Sequence, residues 1–414
     1  MRQFFKIRKM IKIVSALCFL LLVYADISVM DANAGQKTAR QIIYVSEKGN
    51  DRASGNRKHP LKSLQKAMDR ASAGTVIYLR EGTYKGPFVF HKSGNKKGGH
   101  ITVSAYKNER VMITEPKKTT AVAFQMNGCS YIRIEKLQIG NIDAEDACGI
   151  RMQQSEHHIT IRNCEFKNIN TTQPGNALTP KGGANAVLLL GKQKKSIHHI
   201  YILNNKVHDN VNGWSENISV AGNCEYIYVK KNKVYNNTNI GIDFYGNAEY
   251  CREPLLDQPR NCECTQNTVY NCKSPFSENA GIYIDGGRDI LVKGNKVYKN
   301  PYGIEVGSEE WRSYYTDSNC VRNIKIKKNI IYDNQLCGLR IGGWTNDEKT
   351  GVVCQCEVIK NNFSRGNPEN DIILSKCDGI LFQGNLFKNK KNCRKAVTYD
   401  DAVSRSKIRN ILFK

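Results

Sequence analysis

Four residues that titrate or carry charge, Asp243, Tyr283, Glu305 and Arg340, each follow a glycine and an aliphatic residue. Asp285 lies two positions after Tyr283. Because β-strand residues alternate between faces, the aliphatic residue is predicted to point inward and the polar one outward. If these segments stack as neighbouring strands, carboxyl, phenol and guanidinium groups meet on one face, where they can donate or accept protons. The five residues are therefore the candidate catalytic residues.

Insertions flank this strand in several segments and predict loops on both of its sides. They lie before the strand at 170–183, 210–216 and 272–279, and after it at 246–261, 308–318 and 343–353. Loops on both sides of a strand make the walls of a groove. Aromatic rings there can stack on sugar faces, and charged groups can bind hydroxyl or carboxylate groups. The candidate substrate-binding residues are Trp214, Asp257, Arg260, Trp311 and Trp344.

A more regular pattern predicts the elements that position these residues. Two apolar residues at i and i+2 precede an Asn, and a branched or aromatic residue follows two positions later. The Asn residues are Asn205, Asn232, Asn267, Asn295, Asn329, Asn361 and Asn385. Recurrence every 24 to 35 residues with period-two alternation indicates an all-β solenoid. We expect a right-handed parallel β-helix in which the Asn amides hydrogen-bond along the stack.

The N-terminal region reads as an export signal followed by a cap. A basic stretch, an apolar run from Ile13 to Tyr24 and the small residues around Ala34 predict a secretory signal peptide over residues 1–34. Residues 35–414 are predicted to form one β-helix domain, with no membrane span after signal removal and a cap at about 41–90. Helical spacing from Pro60 to Ala71 predicts a short capping helix. The protein is expected to be a secreted monomer, and its tail after Phe387 has no clear register.

The chain contains fifteen cysteines, which in an exported protein raises the question of disulfides. Cys262, Cys264 and Cys356 occupy core positions, and Cys164 stands where the pattern calls for Asn, so we expect four buried thiols and no zinc site. Ten others are available for bridges. They are Cys129, Cys148, Cys224, Cys251, Cys272, Cys320, Cys337, Cys354, Cys377 and Cys393.

The composition is strongly basic. Lys and Arg number 62 against 38 Asp and Glu, for a net charge of +24. Such a charge concentrates polyanions. The sequence shows no nucleic-acid motif, and export favours an acidic polysaccharide as the partner.

The first coils carry motifs that resemble a known family. They are Tyr44-Val45-Ser46, Gly49-Asn50-Asp51, Pro60, Ser63-Leu64-Gln65-Lys66-Ala67, Gly74 and Gly82-Thr83-Tyr84. These residues resemble the opening of secreted β-helix polysaccharide enzymes, among them family 9 pectate lyases. The resemblance implies the β-helix fold and eliminative cleavage of a uronate polymer.

The resemblance also implies a calcium site and a catalytic base. Carried over by register, Glu216 and Asp243 match two acidic calcium positions. The chain departs from the family at Asn239 and Ile240, which replace adjacent aspartates, and at Tyr283, which replaces a lysine base. A tyrosine can act as base where neighbouring cations lower its pKa, and arginines such as Arg260, Arg288 or Arg340 are candidates for that effect.

Two other functions stay open at this point. A pair of carboxyl groups, Asp285 with Glu305 or Asp243 with Glu305, matches the requirement of a glycoside hydrolase. A third reading is a non-catalytic solenoid that binds glycans. Pectate-lyase-like elimination is the first expectation, with hydrolysis and glycan binding as its alternatives.

Overall fold

Each coil of the protein is built from up to three short strands, and equivalent strands of successive coils pair in parallel. The computed structural model describes residues 40–309, 320–343, 351–388, 393–400 and 404–414. The predicted signal peptide, Trp311 and Trp344 lie outside these ranges. Strands are numbered in chain order and belong to three sheets, A, B and C. The prediction of a right-handed parallel β-helix is confirmed.

Sheet A has thirteen strands in the described ranges. They are β1 Ile42–Val45, β2 Val76–Leu79, β5 Ile101–Ala105, β8 Ser130–Glu135, β11 His157–Arg162, β14 Ile197–Leu203, β17 Cys224–Lys230, β20 Arg260–Thr265, β23 Arg288–Lys293, β26 Val321–Lys327, β29 Val353–Ile359, β32 Cys377–Gln383 and β35 Ile408–Phe413. Strand β35 continues the register of β32, with Ile411 beside Ile380. The tail after Phe387 therefore rejoins the solenoid, which the sequence pattern did not predict.

Sheet B has eleven strands in the part of the chain that is described. They are β3 Gly82–Lys85, β6 Val111–Thr114, β9 Gln138–Ala144, β12 Glu165–Thr171, β15 Lys206–His208, β18 Lys233–Asn237, β21 Thr268–Cys272, β24 Lys296–Tyr298, β27 Ile330–Tyr332, β30 Asn362–Phe363 and β33 Leu386–Phe387. The branched or aromatic residue that follows each ladder Asn lies in this sheet, and most of these residues point into the core.

Sheet C also has eleven strands among the described residues. They are β4 Phe88–Phe90, β7 Thr120–Met126, β10 Asp146–Met152, β13 Ala184–Gly191, β16 Ile218–Gly222, β19 Ile242–Tyr245, β22 Ala280–Asp285, β25 Tyr302–Gly307, β28 Cys337–Ile341, β31 Asn370–Leu374 and β34 Val397–Tyr399. The inward aliphatic residues of the three sheets form one continuous core along the solenoid. Short 3₁₀ turns lie at Pro254–Leu256, Cys393–Ala396 and Arg405–Lys407.

The Asn ladder forms at the corner between sheets A and B, as predicted. The Asn232 side chain donates to the carbonyl of Ile202 at 2.8 Å and to Oδ1 of Asn267 at 3.1 Å. The Asn232 backbone N–H donates to the same Oδ1 at 2.9 Å. Each amide thus satisfies backbone groups of neighbouring coils where the chain bends, and the pattern continues to Asn385. The role of the ladder is structural.

A second ladder at the corner between sheets B and C was not predicted. Asn210, Asn237, Asn300 and Asn334 repeat five residues after the first ladder, and the Asn300 backbone N–H donates to Oδ1 of Asn334 at 3.2 Å. The five-residue offset is visible in the sequence and was the available signal. Cys272 fills the missing place in this ladder, since its N–H donates to Oδ1 of Asn300 at 3.1 Å.

The cysteine predictions hold for the core and fail for most of the bridges. Cys164, Cys262, Cys264 and Cys356 are buried free thiols, and the Cys164 N–H donates to Oδ1 of Asn205 at 2.9 Å. Seven residues offered for bridges are free and buried as well. They are Cys129, Cys148, Cys224, Cys251, Cys272, Cys337 and Cys377. Strand and ladder register places five of them as small apolar groups instead of pairing them, and Cys129 and Cys251 are buried in loops.

The cap is formed by helix α1, Leu64–Arg70. It is shorter than the predicted Pro60–Ala71 because Leu61 forms a β-bridge with Val45 and Ala71 is extended. Ser63 caps the helix by accepting the Lys66 N–H at 3.4 Å. Leu64, Ala67 and Met68 are buried against the first coil. Among the described helices, none has the length and apolar character needed to cross a membrane.

Candidate active site

The predicted column of side chains lies on the outer face of sheet C. Strand register pairs Ser219 with Asp243, Asp243 with Tyr283, Tyr283 with Glu305, and Glu305 with Arg340. The sequence placed these residues on successive coils, and that placement is confirmed. Neighbouring strands are about 4.8 Å apart, so the functional groups share one stripe along the solenoid.

A cavity of about 480 Å³ opens over this stripe. Asp243, Tyr283 and Glu305 line its floor, together with Asp285. Its walls come from loops before the strands, which contribute Lys181, Trp214, Glu216 and Glu278, from the end of strand β19 at Tyr245, and from loops after the strands, which contribute Tyr250 and Glu309. The groove predicted from the insertions is therefore present.

Tyr283 belongs to a small apolar cluster on the outer side of sheet C. It is 3% exposed and packs with Ile240, Ala280, Tyr302 and Cys337. Burial, followed by the charges of Asp285 and Glu305, raises the pKa of Tyr283 well above its usual value. The phenol is therefore held in its neutral form. Because it would have to lose its proton before acting as a base, that role is unfavourable.

Two carboxyl groups in the cavity have pKa values close to neutral pH. Burial raises the pKa of Glu305 to about 8, although Arg340 acts in the opposite direction. Burial also raises the pKa of Glu216 to about 7, with Glu309 adding to the effect. At neutral pH Glu305 is mostly protonated and Glu216 is partly ionised, so both can take part in proton transfer.

Asp243 and Asp285 differ in how their oxygens are used. Burial, then Glu216 and Glu309, raise the pKa of Asp243 well above its usual value. The Asp243 side chain is 1% exposed, and its buried Oδ1 has no hydrogen-bond partner among the described residues. Oδ1 of Asp285 accepts the Glu309 N–H at 2.8 Å. Burial and Glu309 also raise the pKa of Asp285. Asp243 therefore has an oxygen available for a ligand or water.

Arg340 supports the floor of the cavity from one end of the stripe. Its guanidinium donates to Asp400 at 2.8 Å and to the Tyr302 hydroxyl at 3.0 Å, and lies 3.7 Å from Glu305. The Tyr302 hydroxyl in turn donates to Glu278. Because Arg340 is buried in these contacts and lies one coil beyond Glu305, it orients Glu305 and does not neutralise Tyr283.

Arg260 and Asp257, two of the candidates for substrate binding, do not line the cavity. Arg260 begins strand β20 of sheet A, where its guanidinium contacts Asn223 at 2.8 Å and Glu225 at 3.4 Å. Arg288 is in the same sheet and pairs with Asp289. The expectation that Arg260 or Arg288 lowers the Tyr283 pKa is therefore wrong. Asp257 is fully buried and accepts the N–H groups of Glu249 and Cys251, so it holds its own loop.

Some cavity residues were not identified from the sequence. Lys181, Glu278 and Tyr250 have no repeat register, since they lie in insertions, whereas Tyr245 ends strand β19 and its outward position was expected. The two tyrosine rings meet edge to face at 5.6 Å. Trp214, which was predicted, donates its indole N–H to the Asn176 carbonyl at 3.0 Å and stacks on Phe276. Trp214 and Tyr250 thus offer rings on different walls.

The calcium expectation rests on Glu216 and Asp243, which both line the cavity. In the described ranges, no group of three or more Asp, Glu, His or Cys side chains is arranged to hold a metal ion. Calcium takes six to eight oxygen ligands. The carboxylates of Glu216 and Asp243, including the unpaired Oδ1 of Asp243, supply part of such a set, and water or substrate would have to supply the rest.

Two protein-family models match parts of this chain. A family model described as the Pel9A-like, right-handed beta helix region matches residues 43–250, about half of the chain. The chain belongs to the Pel9A-like right-handed β-helix family. Beyond that match, residues 247–404 are similar to the model of NosD, a periplasmic copper-binding protein.

Individual relatives of this Pel9A-like chain include proteins with and without a known activity. YwoF, an uncharacterized protein of Bacillus subtilis (strain 168), is 31% identical over 386 residues, which cover 86% of this chain and 79% of YwoF. Pectate lyase PEL9 of Emericella nidulans is 44% identical over 73 residues, 17% of this chain and 18% of that enzyme. The crystal structure of pectate lyase Pel9A covers 88% of this chain and 79% of its own, with a TM-score of 0.45 at 14% identity.

Proposed function

We propose that the protein is a polysaccharide-cleaving enzyme in which two carboxyl groups of the sheet C stripe hydrolyse a glycosidic bond. Glu305 is the general acid and Asp243 the general base. The observation that carries the proposal is that one cavity contains both Glu305, whose carboxyl group has a pKa of about 8, and Asp243, a buried carboxyl group with an unpaired oxygen. Glycoside hydrolysis needs one protonated and one proton-accepting carboxyl group.

Glu305 meets the requirement of the acid. It is mostly protonated at neutral pH, and Arg340 beside it is positioned to stabilise the carboxylate that remains after proton transfer to the leaving oxygen. Arg340 is itself fixed by Asp400, so the acid is oriented from behind while its free side faces the cavity. Arg340 is thus a positioning residue in this mechanism.

Asp243 is favoured over Asp285 as the base. Oδ1 of Asp285 already accepts a backbone N–H, whereas Oδ1 of Asp243 is available to hold a water molecule. Burial raises the pKa of Asp243, so Asp243 must release its own proton to solvent before it can accept one from the attacking water, and the positive charge that develops on the sugar ring would then stabilise the carboxylate.

The spacing supports an inverting reaction. Asp243 and Glu305 lie in one column with Tyr283 between them, so their backbones are separated by two strand spacings, about 10 Å. Side chains that lean toward a shared substrate bring the carboxyl groups into the range of about 6.5 to 9.5 Å used by inverting glycosidases. Tyr283 then lies under the scissile bond, and Trp214 and Tyr250 bind flanking sugars by stacking.

The test begins with a panel of neutral and uronate-containing polysaccharides incubated with the full chain. We expect new reducing ends without absorbance from an unsaturated uronate, and inversion at the anomeric carbon by NMR. Glu305→Gln and Asp243→Asn should each lower turnover by about two or more orders of magnitude. The matched control is Glu357→Gln, an outer-face position on sheet A. Binding without cleavage of any polymer would indicate a glycan-binding solenoid, and full activity of both variants would reject the carboxyl pair.

Calcium-assisted elimination of a uronate polymer is the second candidate. It is supported by membership of the Pel9A-like family and by the nearness of Glu216 to Asp243, whose pKa it raises. A cation held by both would relieve their repulsion and neutralise a uronate carboxylate. Secretion and action outside the cell accompany either candidate, since a polysaccharide substrate lies there.

Elimination has its own signature. Cleavage would create absorbance from an unsaturated uronate product and would require added calcium. Calorimetry with calcium on wild type and Asp243→Asn tests the site directly, and equal binding by the two proteins would remove Asp243 from it. Appearance of the unsaturated product would replace hydrolysis by elimination as the function of this groove.

A further inference from the structure

Part of the positive charge of the chain lies in regular columns away from the groove. Where strands of sheet A end at the corner with sheet B, Lys230, Lys293 and Lys327 occupy one column, with Thr265 between the first two. Lys230 pairs with Glu263 at 2.8 Å, and Lys327 pairs with Glu357 at 2.7 Å. The acidic cavity, by contrast, lies on sheet C.

Two more columns at this corner carry lysine. At the turn residue, which has φ between 53° and 58°, stand Lys231, Lys328 and Lys360. At the start of the sheet B strands stand Lys206, Lys233 and Lys296. The remaining places in the three columns are filled by uncharged residues in the six coils from β14 to β30. We call these nine lysines the lysine corner. It extends about 24 Å along the solenoid at about 4.8 Å per coil.

We propose that the lysine corner binds a carboxylated polysaccharide chain lying parallel to the solenoid axis, separately from the groove on sheet C. Most of its lysines are exposed, so ammonium groups can contact a polymer without displacing packed side chains. A surface charged only for solubility mixes both signs. Within the three columns every charged residue is a lysine along six coils, with Glu263 and Glu357 outside them, and this run matches a long polyanion with regularly spaced charges.

The neighbouring aromatic residues argue against nucleic acid as the partner. Tyr235, Tyr270, Tyr298 and Tyr332 stack on one another along sheet B at centroid distances of 4.8 to 5.1 Å. Lys233 and Lys296 lie over rings of this stack at 4.7 and 5.3 Å. Because the ring faces are covered, bases cannot stack on them, and base stacking is a main source of affinity for single strands. Recognition at this corner rests on charge alone.

The acidic cavity supports a division of labour between the two surfaces. Glu216, Asp243, Asp285, Glu305 and Glu309 all line the cavity, and Lys181 lines it as well. The cavity offers a polyanion a single lysine among five carboxyl groups, whereas the lysine corner offers it nine lysines. The corner would thus hold the enzyme on an anionic matrix while the groove acts on its own substrate. The inference depends on the charge distribution of the fold and is independent of the proposed reaction.

The experiment measures binding of the full chain to polygalacturonate over a range of salt concentrations. The test variant is Lys231→Gln, Lys293→Gln and Lys328→Gln combined. The matched control is Lys58→Gln, Lys96→Gln and Lys97→Gln combined. These are exposed lysines of the first coils, and their replacement changes the net charge equally. We expect the corner variant to bind about tenfold or more weakly at low salt, with a shallower salt dependence, because fewer counterions are released. The control should stay within about twofold of wild type.

Several results would overturn the proposal. Equal loss in the test and control variants would mean that net charge alone drives binding, and absence of binding by wild type would remove the site. Stronger binding of duplex DNA than of polygalacturonate would assign the corner to nucleic acid. Glu305→Gln should bind the polymer as wild type does. A loss in that variant would place the polymer in the groove, and this readout separates the lysine corner from the proposed function.

Discussion

Glu305→Gln tests the inference that the fold holds the Glu305 carboxyl group in its neutral form. Glu305 is 5% exposed, and its pKa is about 8 against an ordinary value of 4.5. A group whose folded pKa is raised binds its proton more tightly in the folded state. Its contribution to stability is therefore complete below the unfolded pKa and is lost as pH rises through the folded pKa. For Glu305 that loss falls between about pH 4.5 and pH 8.

The magnitude follows from the shift. One pKa unit corresponds to about 1.4 kcal/mol, so a change from 4.5 to about 8 gives about 5 kcal/mol as an upper limit. Relaxation of the cavity and entry of water lower this figure, and we expect about 2 to 4 kcal/mol. Glutamine has nearly the same volume and does not titrate. The free energy of unfolding of the Glu305→Gln variant should therefore rise relative to that of wild type as pH increases across this range.

Urea unfolding at a series of pH values provides the measurement. The control is Glu357→Gln, whose carboxylate forms an ion pair with Lys327 on the outer face of sheet A. Exposed ion pairs contribute little, so the control should differ from wild type by less than about 1 kcal/mol across the range. Parallel curves for wild type and Glu305→Gln between about pH 5 and pH 8 would refute a raised pKa for Glu305 and, with it, its role as general acid.

Three further predictions address other parts of the molecule. Tyr283→Phe should lower turnover by less than about tenfold, because burial keeps the phenol neutral. A loss of about two orders of magnitude in steady-state turnover would show that the tyrosine acts as the base. Asn267→Ala should lower the free energy of unfolding by about 2 to 5 kcal/mol, since it leaves buried ladder groups of Asn232 and Val229 unpaired. Thermal unfolding beside Asn271→Ala, a half-buried Asn outside the ladder, checks this, and equal effects would contradict it. Cys262 and Cys264 should react with a thiol reagent only after unreduced protein is unfolded, and mass spectrometry of a disulfide-linked peptide containing either would contradict the register.

The periodic features of this protein could be read from the sequence. Each coil must bury alternate residues and satisfy its backbone at each bend, so Asn232, Asn267 and their equivalents recur at places fixed by strand geometry. The same periodicity fixed the order of Asp243, Tyr283 and Glu305, because residues at equivalent positions of stacked strands become neighbours. Fold, ladder and stripe follow from local alternation repeated many times.

The partners of those residues were decided only by the tertiary structure. Arg340 meets Asp400, sixty residues away in sequence, because the tail adds a further strand to sheet C. Arg260 begins a strand of sheet A and does not line the cavity, since the insertion before it ends at the start of a new coil. Insertions have no period, so their side chains carry no register. The sequence therefore determined which groups line one face, and three-dimensional packing determined their burial, charge environment and pKa values.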